Sequence, residues 1–289
     1  MITAEERRII ISALTEDTAA GDPTTAATID PSRMGCAVFI AKADGILSGI
    51  EAACETFSVF AESTVRVESV SSKDVLAEGT QVSKGDALAH ISAPLDILLT
   101  AERVALNILQ RMSGIATLTK KYVDACAGTN ATIIDTRKTA PLLRPFDRQG
   151  VRAGGGTNNR YSLGDMVLVK DNHIAANDMD VALVIEKLRR YFENREPIPV
   201  ELEVTSLEQF KIVKEKGIGI IDRVMFDNFP LEMLKEGVAL NAGTFHTEAS
   251  GGVNLSTIRA IAETGVDFIS VGALTHSVTG LDISLEIEL

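Results

Sequence analysis

At 289 residues, with 45% hydrophobic and 24% charged residues, the chain can bury a full core and is too apolar for disorder. Its 40 acidic against 28 basic residues give a formal net charge of -12, which repels a polyphosphate backbone and argues against a nucleic-acid partner. Cys36, Cys54 and Cys126 form no short pair, so neither a disulfide framework nor a zinc knuckle is indicated and a cytoplasmic location is expected.

The opening MITAEERRIIISALTEDT carries Glu5 and Glu6 and only a short isoleucine run, unlike a signal or transit peptide. Thr3 with Glu6 reads as a capping box that opens an amphipathic helix. No apolar run in the sequence approaches bilayer-spanning length, so no membrane partner is expected. Short strands follow, in GCAVFIAKADGILSG and VRVESVSS, with glycine turns and no βα alternation, which suggests a separate α/β layer domain. EGTQVSKGDALAHI has the paired-glycine rhythm of lipoyl and biotinyl carriers, with Lys42 as a conceivable carrier lysine. Strand-turn-strand chemistry produces the same rhythm without a carried group. TAERVALNILQRMSGIATLTKKYVDACAG reads as one long connecting helix.

From about Ala131 the pattern changes. ATIIDT, DMVLVK, PVELEV, RVMFDN, AGTFHTEAS and DFISVG are strand candidates, alternating with helical segments. SLEQFKIVKEKG and NLSTIRAIAETG begin at the plausible caps Ser206 and Asn254 and end at Gly217 and Gly265. Such alternation predicts a parallel sheet with crossover helices, closed or nearly closed as a barrel.

Polar residues recur where these strands end: Arg137 and Lys138 follow the first, Lys170 ends the second, and Glu203 lies near the end of the third. Asp227 ends the fourth, Ser250 follows the fifth and Gly272 ends the sixth. That rim is where barrel enzymes assemble their sites. The run from Asp135 to Ile174 also concentrates Arg137, Lys138, Arg144, Arg148, Arg152, Arg160 and Lys170 in an acidic chain. Planar guanidinium groups suit carboxylates and phosphates, so the cluster points to an anion. AGGGTNNR lacks both the P-loop and the dinucleotide spacing; its glycines permit a close approach to a ligand or another chain.

In VELEV, Glu201 and Glu203 share a strand face, and an inward glutamate needs a cation or metal partner. Glu203 and Asp227 on neighbouring strand ends suit Mg²⁺ or a developing positive charge; pairing with Lys170 as scaffolding is the alternative. His90, His173, His246 and His276 show no metal-ligand spacing, and no serine sits in a nucleophile elbow. EASGGV and SVGALTHS place glycines and Ser250 where many barrels cradle phosphate.

With these residues assembled, the sequence resembles the quinolinate phosphoribosyltransferase family. The runs that carry the resemblance are EDTAAGDPTT, AERVALNILQRMSGIAT, DTRKTAPLLR, GGGTNNR, VKDNHI, ELEVTSLEQ, FDNF, EASGG and VGALTHS. It implies an N-terminal α/β sandwich over residues 1–113 with a C-terminal return at 276–289, and an open α/β barrel, type II phosphoribosyltransferase-like, over 114–275. It also implies a homodimer with shared active sites, or a higher oligomer, using Mg²⁺. The implied reaction joins quinolinate to phosphoribosyl pyrophosphate and gives nicotinate mononucleotide, pyrophosphate and CO2, a step of NAD biosynthesis. By the same resemblance Arg103 reaches the neighbouring subunit's site, and Arg137, Lys138, Arg160 and Lys170 line it. Lys138, Lys170, Glu203 and Asp227 fall at the catalytic positions, with Glu203 and Asp227 near ribose and metal. Ser250, Gly251, Gly252, Gly272 and His276 surround the 5′-phosphate. One position departs: the family usually reads G-G-G-x-x-H-R, and Asn159 stands here before Arg160. A paralogue acting on another anionic heterocycle, or a non-catalytic anion binder, are the rival readings.

Overall fold

A computed structural model describes residues 2–66 and 69–288. The chain divides into two compact units, one from the N-terminus through Lys120 with Lys138–Gly155 and the stretch from Leu274 onward, the other comprising Lys121–Arg137 and Gly156–Ala273. In chain order the first unit begins with α1 (Ala4–Thr18), α2 (Pro23–Thr28), β1 (Met34–Ala41), β2 (Gly45–Ile46) and α3 (Ile50–Ser63). It continues through β3 (Ser71–Lys73), β4 (Gln81–Val82), β5 (Ala87–Pro94) and most of α4 (Leu95–Ala125).

The second unit holds β6 (Thr132–Ile134); α5 (Arg144–Ala153) returns to the first. Then come β7 (Val167–Val169), α6 (Asp171–Ala175), α7 (Val181–Phe192), β8 (Val200–Val204), α8 (Leu207–Lys216) and β9 (Arg223–Asp227). α9 (Leu231–Asn241), β10 (His246–Ser250), α10 (Ile258–Ala262) and β11 (Phe268–Ser270) complete the alternation. α11 (Ala273–His276) leads to the last strand, β12 (Ile283–Glu288), which pairs antiparallel with β1.

In the first unit, the antiparallel order β12-β1-β5-β3 builds one sheet. Ala37, Phe39 and Ala41 alternate inward along β1 and pack with Ile10 of α1 and Phe57 of α3. This face is the unit's core, because apolar residues at period two meet apolar stripes at helical spacing. The Thr3–Glu6 capping box forms as the sequence predicts: Glu6 N–H donates to Thr3 Oγ1 at 3.2 Å and Thr3 N–H to Glu6 Oε2 at 2.7 Å. Strand β3 is confined to Ser71–Lys73, so VRVESVSS is not one strand; Val65 takes a left-handed φ of 59°, and Val67 and Glu68 lie outside the described residues.

The second unit is a six-stranded parallel sheet of order β6-β11-β10-β9-β8-β7. All five residues of β8 are buried, as expected of a parallel strand covered on both faces. Ser206 caps α8 by accepting from Gln209 N–H at 3.2 Å, as read from the sequence. Asn254 does not cap α10. Its Oδ1 accepts from Ser256 N–H and Oγ in a local turn, and the helix begins only after Thr257. Short polar side chains stabilise turns as readily as helix ends, and here the turn wins.

The glycine run in AGGGTNNR is partly a packing device. In the first unit a Cβ on Gly154 would stand 2.3 Å from the Ala116 carbonyl oxygen of α4, so this glycine serves close approach within its own chain.

Candidate active site

The C-terminal ends of the parallel strands position the charged residues of the second unit. Beyond β6, Asp135 is 1% exposed and receives Asn158 Nδ2 and the Asn159 backbone N–H, each at 2.7 Å. Thr157 N–H donates to Ile133 O at 2.9 Å, so residues 157–159 run alongside the strand. The buried carboxylate, missed in the sequence, therefore draws in the NNR segment and delivers Arg160 to the neighbourhood of Arg137. Asp165 then accepts from Tyr161 N–H at 2.7 Å and from Ser162 Oγ at 2.6 Å, closing the turn behind Arg160.

Arg160 donates from Nη1 to the Met166 carbonyl at 3.0 Å. Burial, and after it the Arg137 guanidinium, pull Arg160 below its ordinary pKa. Arg137 Nε is enclosed and has no hydrogen-bond partner among the described residues. Two guanidinium groups close enough to repel, one with an idle buried donor, form a site short of an anion.

Lys170 follows β7, and its backbone N–H donates to His173 Nδ1 at 2.9 Å. Its half-exposed ammonium lies 3.5 Å from Glu203 Oε2, while Asp171 N–H reaches Glu203 Oε1 at 3.4 Å. Glu203 is 5% exposed. Burial raises its pKa, Lys170 opposes that shift, and Asp227 adds to it. Glu203 and Asp227 thus stand near enough to feel each other. Among the described residues no cluster of three or more acidic, histidine or cysteine side chains could cage a metal. A two-carboxylate edge fits Mg²⁺, which commonly takes one or two protein carboxylates and completes its shell with water and substrate phosphate.

Deeper along the same strand face, Glu201 corrects an expectation. Both its oxygens are enclosed and meet no donor among the described residues. Its neighbour is a second acid, Glu248 of β10, whose Oε2 accepts from Arg223 Nη1 at 3.0 Å. Burial first, and the Glu248 carboxylate second, raise Glu201 well above the ordinary carboxylate range. A proton on Glu201, donated to Glu248, supplies the missing hydrogen bond.

Ser250 ends β10 and Gly251 follows with φ of 90°; Gly252 and, beyond β11, Gly272 lie on the same edge of the sheet. Arg103, Lys138 and His276 belong to the first unit. There the Lys138 carbonyl accepts from Thr275 Oγ1 at 2.9 Å, beside His276, whose Nδ1 is 2.7 Å from Ser277 Oγ. Exposed Arg103 lines a cleft of about 230 Å³ with Glu16, Asp17 and Arg111. Arg111 is held by bidentate contacts of 2.7 and 2.8 Å to fully buried Asp147.

Residues 115–286 match the family described as quinolinate phosphoribosyl transferase, C-terminal domain, and residues 22–113 match its N-terminal domain. The chain belongs to the quinolinate phosphoribosyltransferase family. It is 42% identical over 300 aligned positions, covering 99% of the chain and 84% of the relative, to an Arabidopsis thaliana protein named nicotinate-nucleotide pyrophosphorylase [carboxylating], chloroplastic. A probable nicotinate-nucleotide pyrophosphorylase [carboxylating] of Bacillus subtilis is 38% identical, covering 95% of the chain and 90% of the relative. Among solved structures, NadC from Streptococcus pyogenes superposes with a TM-score of 0.91 at 34% identity, covering 100% of this chain and 98% of that one. Quinolinate phosphoribosyltransferase membership covers both parts of the chain, the N-terminal match holding β1 to β5 and the C-terminal match holding all six strands of the parallel sheet.

Proposed function

We infer that this chain transfers the phosphoribosyl group of phosphoribosyl pyrophosphate to quinolinate with loss of CO2, giving nicotinate mononucleotide and pyrophosphate for NAD biosynthesis. The observation that supports this reading is a cluster of cations and acids along one edge of the parallel sheet. Arg137 and Arg160 form an anion-deficient pair, and Lys170, Glu203 and Asp227 stand on neighbouring strand ends.

Quinolinate carries two adjacent carboxylates, and Arg137, Arg160 and Lys170 offer them charge-assisted hydrogen bonds. Lys138 and Arg103 extend the lining in the same reading. Held this way, the pyridine nitrogen attacks ribose C1, and the C1–O bond to pyrophosphate breaks with its electron pair leaving on oxygen. Positive charge develops on the ribose ring, where the Glu203 and Asp227 carboxylates oppose it. The nitrogen is then quaternary. The bond from C2 to its carboxylate breaks, CO2 leaves, and the electron pair remaining on C2 is stabilised by the adjacent cationic nitrogen until a proton from water replaces it. No side-chain nucleophile is needed. Ser250, Gly251, Gly252, Gly272 and His276 are assigned to the 5′-phosphate. Glu203 and Asp227 would hold Mg²⁺, which when bound supplies charge neutralisation to the pyrophosphate leaving group.

Two further parts of the reading concern assembly and location, the first from the resemblance and the second from the cysteines. The enzyme acts as a homodimer in which Arg103 serves the partner's site. It works in the cytoplasm, a reducing compartment that suits the free thiols Cys36, Cys54 and Cys126. No helix among the described residues is long and apolar enough to cross a membrane.

The reading is tested by incubating the purified protein with quinolinate, phosphoribosyl pyrophosphate and Mg²⁺ and separating the products. Nicotinate mononucleotide should accumulate only when all are present, and its absence from the complete mixture would remove the assignment.

A further inference from the structure

Asn228, directly after Asp227, is absent from the site residues assigned above, yet its contacts tie two parts of that site together. It holds a left-handed φ of 54°, a conformation asparagine tolerates better than most residues. Its backbone N–H donates to the Ser250 carbonyl at 2.8 Å. Its side-chain Nδ2 donates to Asp227 Oδ2 at 2.7 Å, and only the amino end of the amide can face a carboxylate. The opposite end, Oδ1, lies against Gly251, where a Cβ would stand only 2.2 Å away. One amide therefore fixes the Asp227 carboxylate at one end and sits in the space left by Gly251 at the other.

We propose that Asn228 is a positioning residue for the phosphoribosyl donor, holding Asp227 in register with the Ser250–Gly252 turn so that the ribose and 5′-phosphate are gripped together. This rests on the function inferred above, in which Asp227 faces the ribose and the turn faces the phosphate. Gly251 is explained by the same geometry, because any side chain there would displace the amide. A scaffold role alone would need only the left-handed backbone and the N–H to Ser250, both of which glycine provides. The side-chain amide is the part that scaffolding does not require.

The experiment compares wild type with Asn228→Gly and Asn228→Asp. Wild-type turnover is measured first; its absence sinks the assigned reaction and, with it, this inference. With an active wild type, each variant is titrated calorimetrically with phosphoribosyl pyrophosphate and Mg²⁺ without quinolinate, and the KM of each substrate is measured. A lost hydrogen bond to a charged group corresponds to about 10- to 150-fold in affinity, so Asn228→Gly should weaken donor binding and raise donor KM by about that factor. Quinolinate KM should change less than about twofold, and Asn228→Asp, isosteric but presenting a second carboxylate to Asp227, should bind donor no better than Asn228→Gly. In an Asp227→Asn background the Asn228→Gly change should lose most of its effect on donor Kd, since the amide acts through that carboxylate. An Asn228→Gly enzyme that binds donor within about twofold of wild type would overturn the proposal, as would an equal rise in both KM values.

Discussion

Replacing Glu201 by glutamine tests the electrostatics beneath the site. Glu201 is 0% exposed, meets no donor among the described residues, and faces Glu248, itself engaged by Arg223 at 3.0 Å. Its pKa lies well above the ordinary carboxylate value, chiefly through burial and then through Glu248. The unfolded chain releases this proton near the usual pKa of about 4.3, while the folded chain keeps it to higher pH, so the folded state binds more protons in between. Stability from this group is therefore full below that pH and falls as pH rises through the folded pKa. The slope is at most about 1.4 kcal/mol per pH unit for one proton. Glutamine keeps the shape, supplies an N–H to Glu248 and cannot ionise. Glu201→Gln should stay within about 1 kcal/mol of wild type under mildly acidic conditions, with the stability difference shifting in the variant's favour as pH rises. Urea unfolding of both proteins in parallel, from about pH 5 to pH 8, measures that difference. If Glu201 is instead an ionised partner of Arg223 or Arg160, glutamine breaks a buried ion pair. The variant would then lose about 3 kcal/mol or more without the predicted trend, and the shared-proton account would be wrong.

Other consequences follow from the same geometry. Arg137→Ala should raise the quinolinate Kd by roughly 10- to 150-fold, the worth of a charge-assisted bond, while leaving donor affinity close to wild type in separate titrations. Nicotinate, lacking the carboxylate that is lost, should be a poor substrate in a side-by-side assay. Arg103→Ala and Lys138→Ala chains, each inactive alone, should regain part of their activity after subunit exchange; heterodimers without rescue would argue against a shared site. Asn159→His should be nearly silent, because Arg137, Arg160 and Lys170 already supply charge. A gain in quinolinate affinity of about tenfold that is lost as pH rises through about 6.5 would show that an imidazolium matters there.

The parallel sheet was legible because β-branched runs alternated with capped helical segments, and the rim because cations and acids recurred where those runs ended. Pairings between distant strands were not. VELEV shows that Glu201 points inward, but nothing local tells that its neighbour is Glu248 rather than a cation, since β9 stands between β8 and β10 in the sheet. The period-two pattern of HTEAS could have flagged Glu248 as a second inward acid. Asp135 was hidden by its adjacent cations, although an aspartate ending a strand just before them is a natural anchor for the loop that brings Arg160 in. Asn254 misled because one residue type serves turns and caps alike. Asn228 carried no signal at all, its meaning arising only when Asp227 and Gly251 come together.

The central claim concerns a coupled chemistry, and the coupling itself can be measured. Quinolinate labelled in its 2-carboxylate, incubated with the enzyme, donor and Mg²⁺, should release labelled CO2 in equimolar amounts with nicotinate mononucleotide and pyrophosphate, and release none when donor is withheld. Labelled CO2 without mononucleotide, or a mononucleotide that still carries the label, would contradict the account.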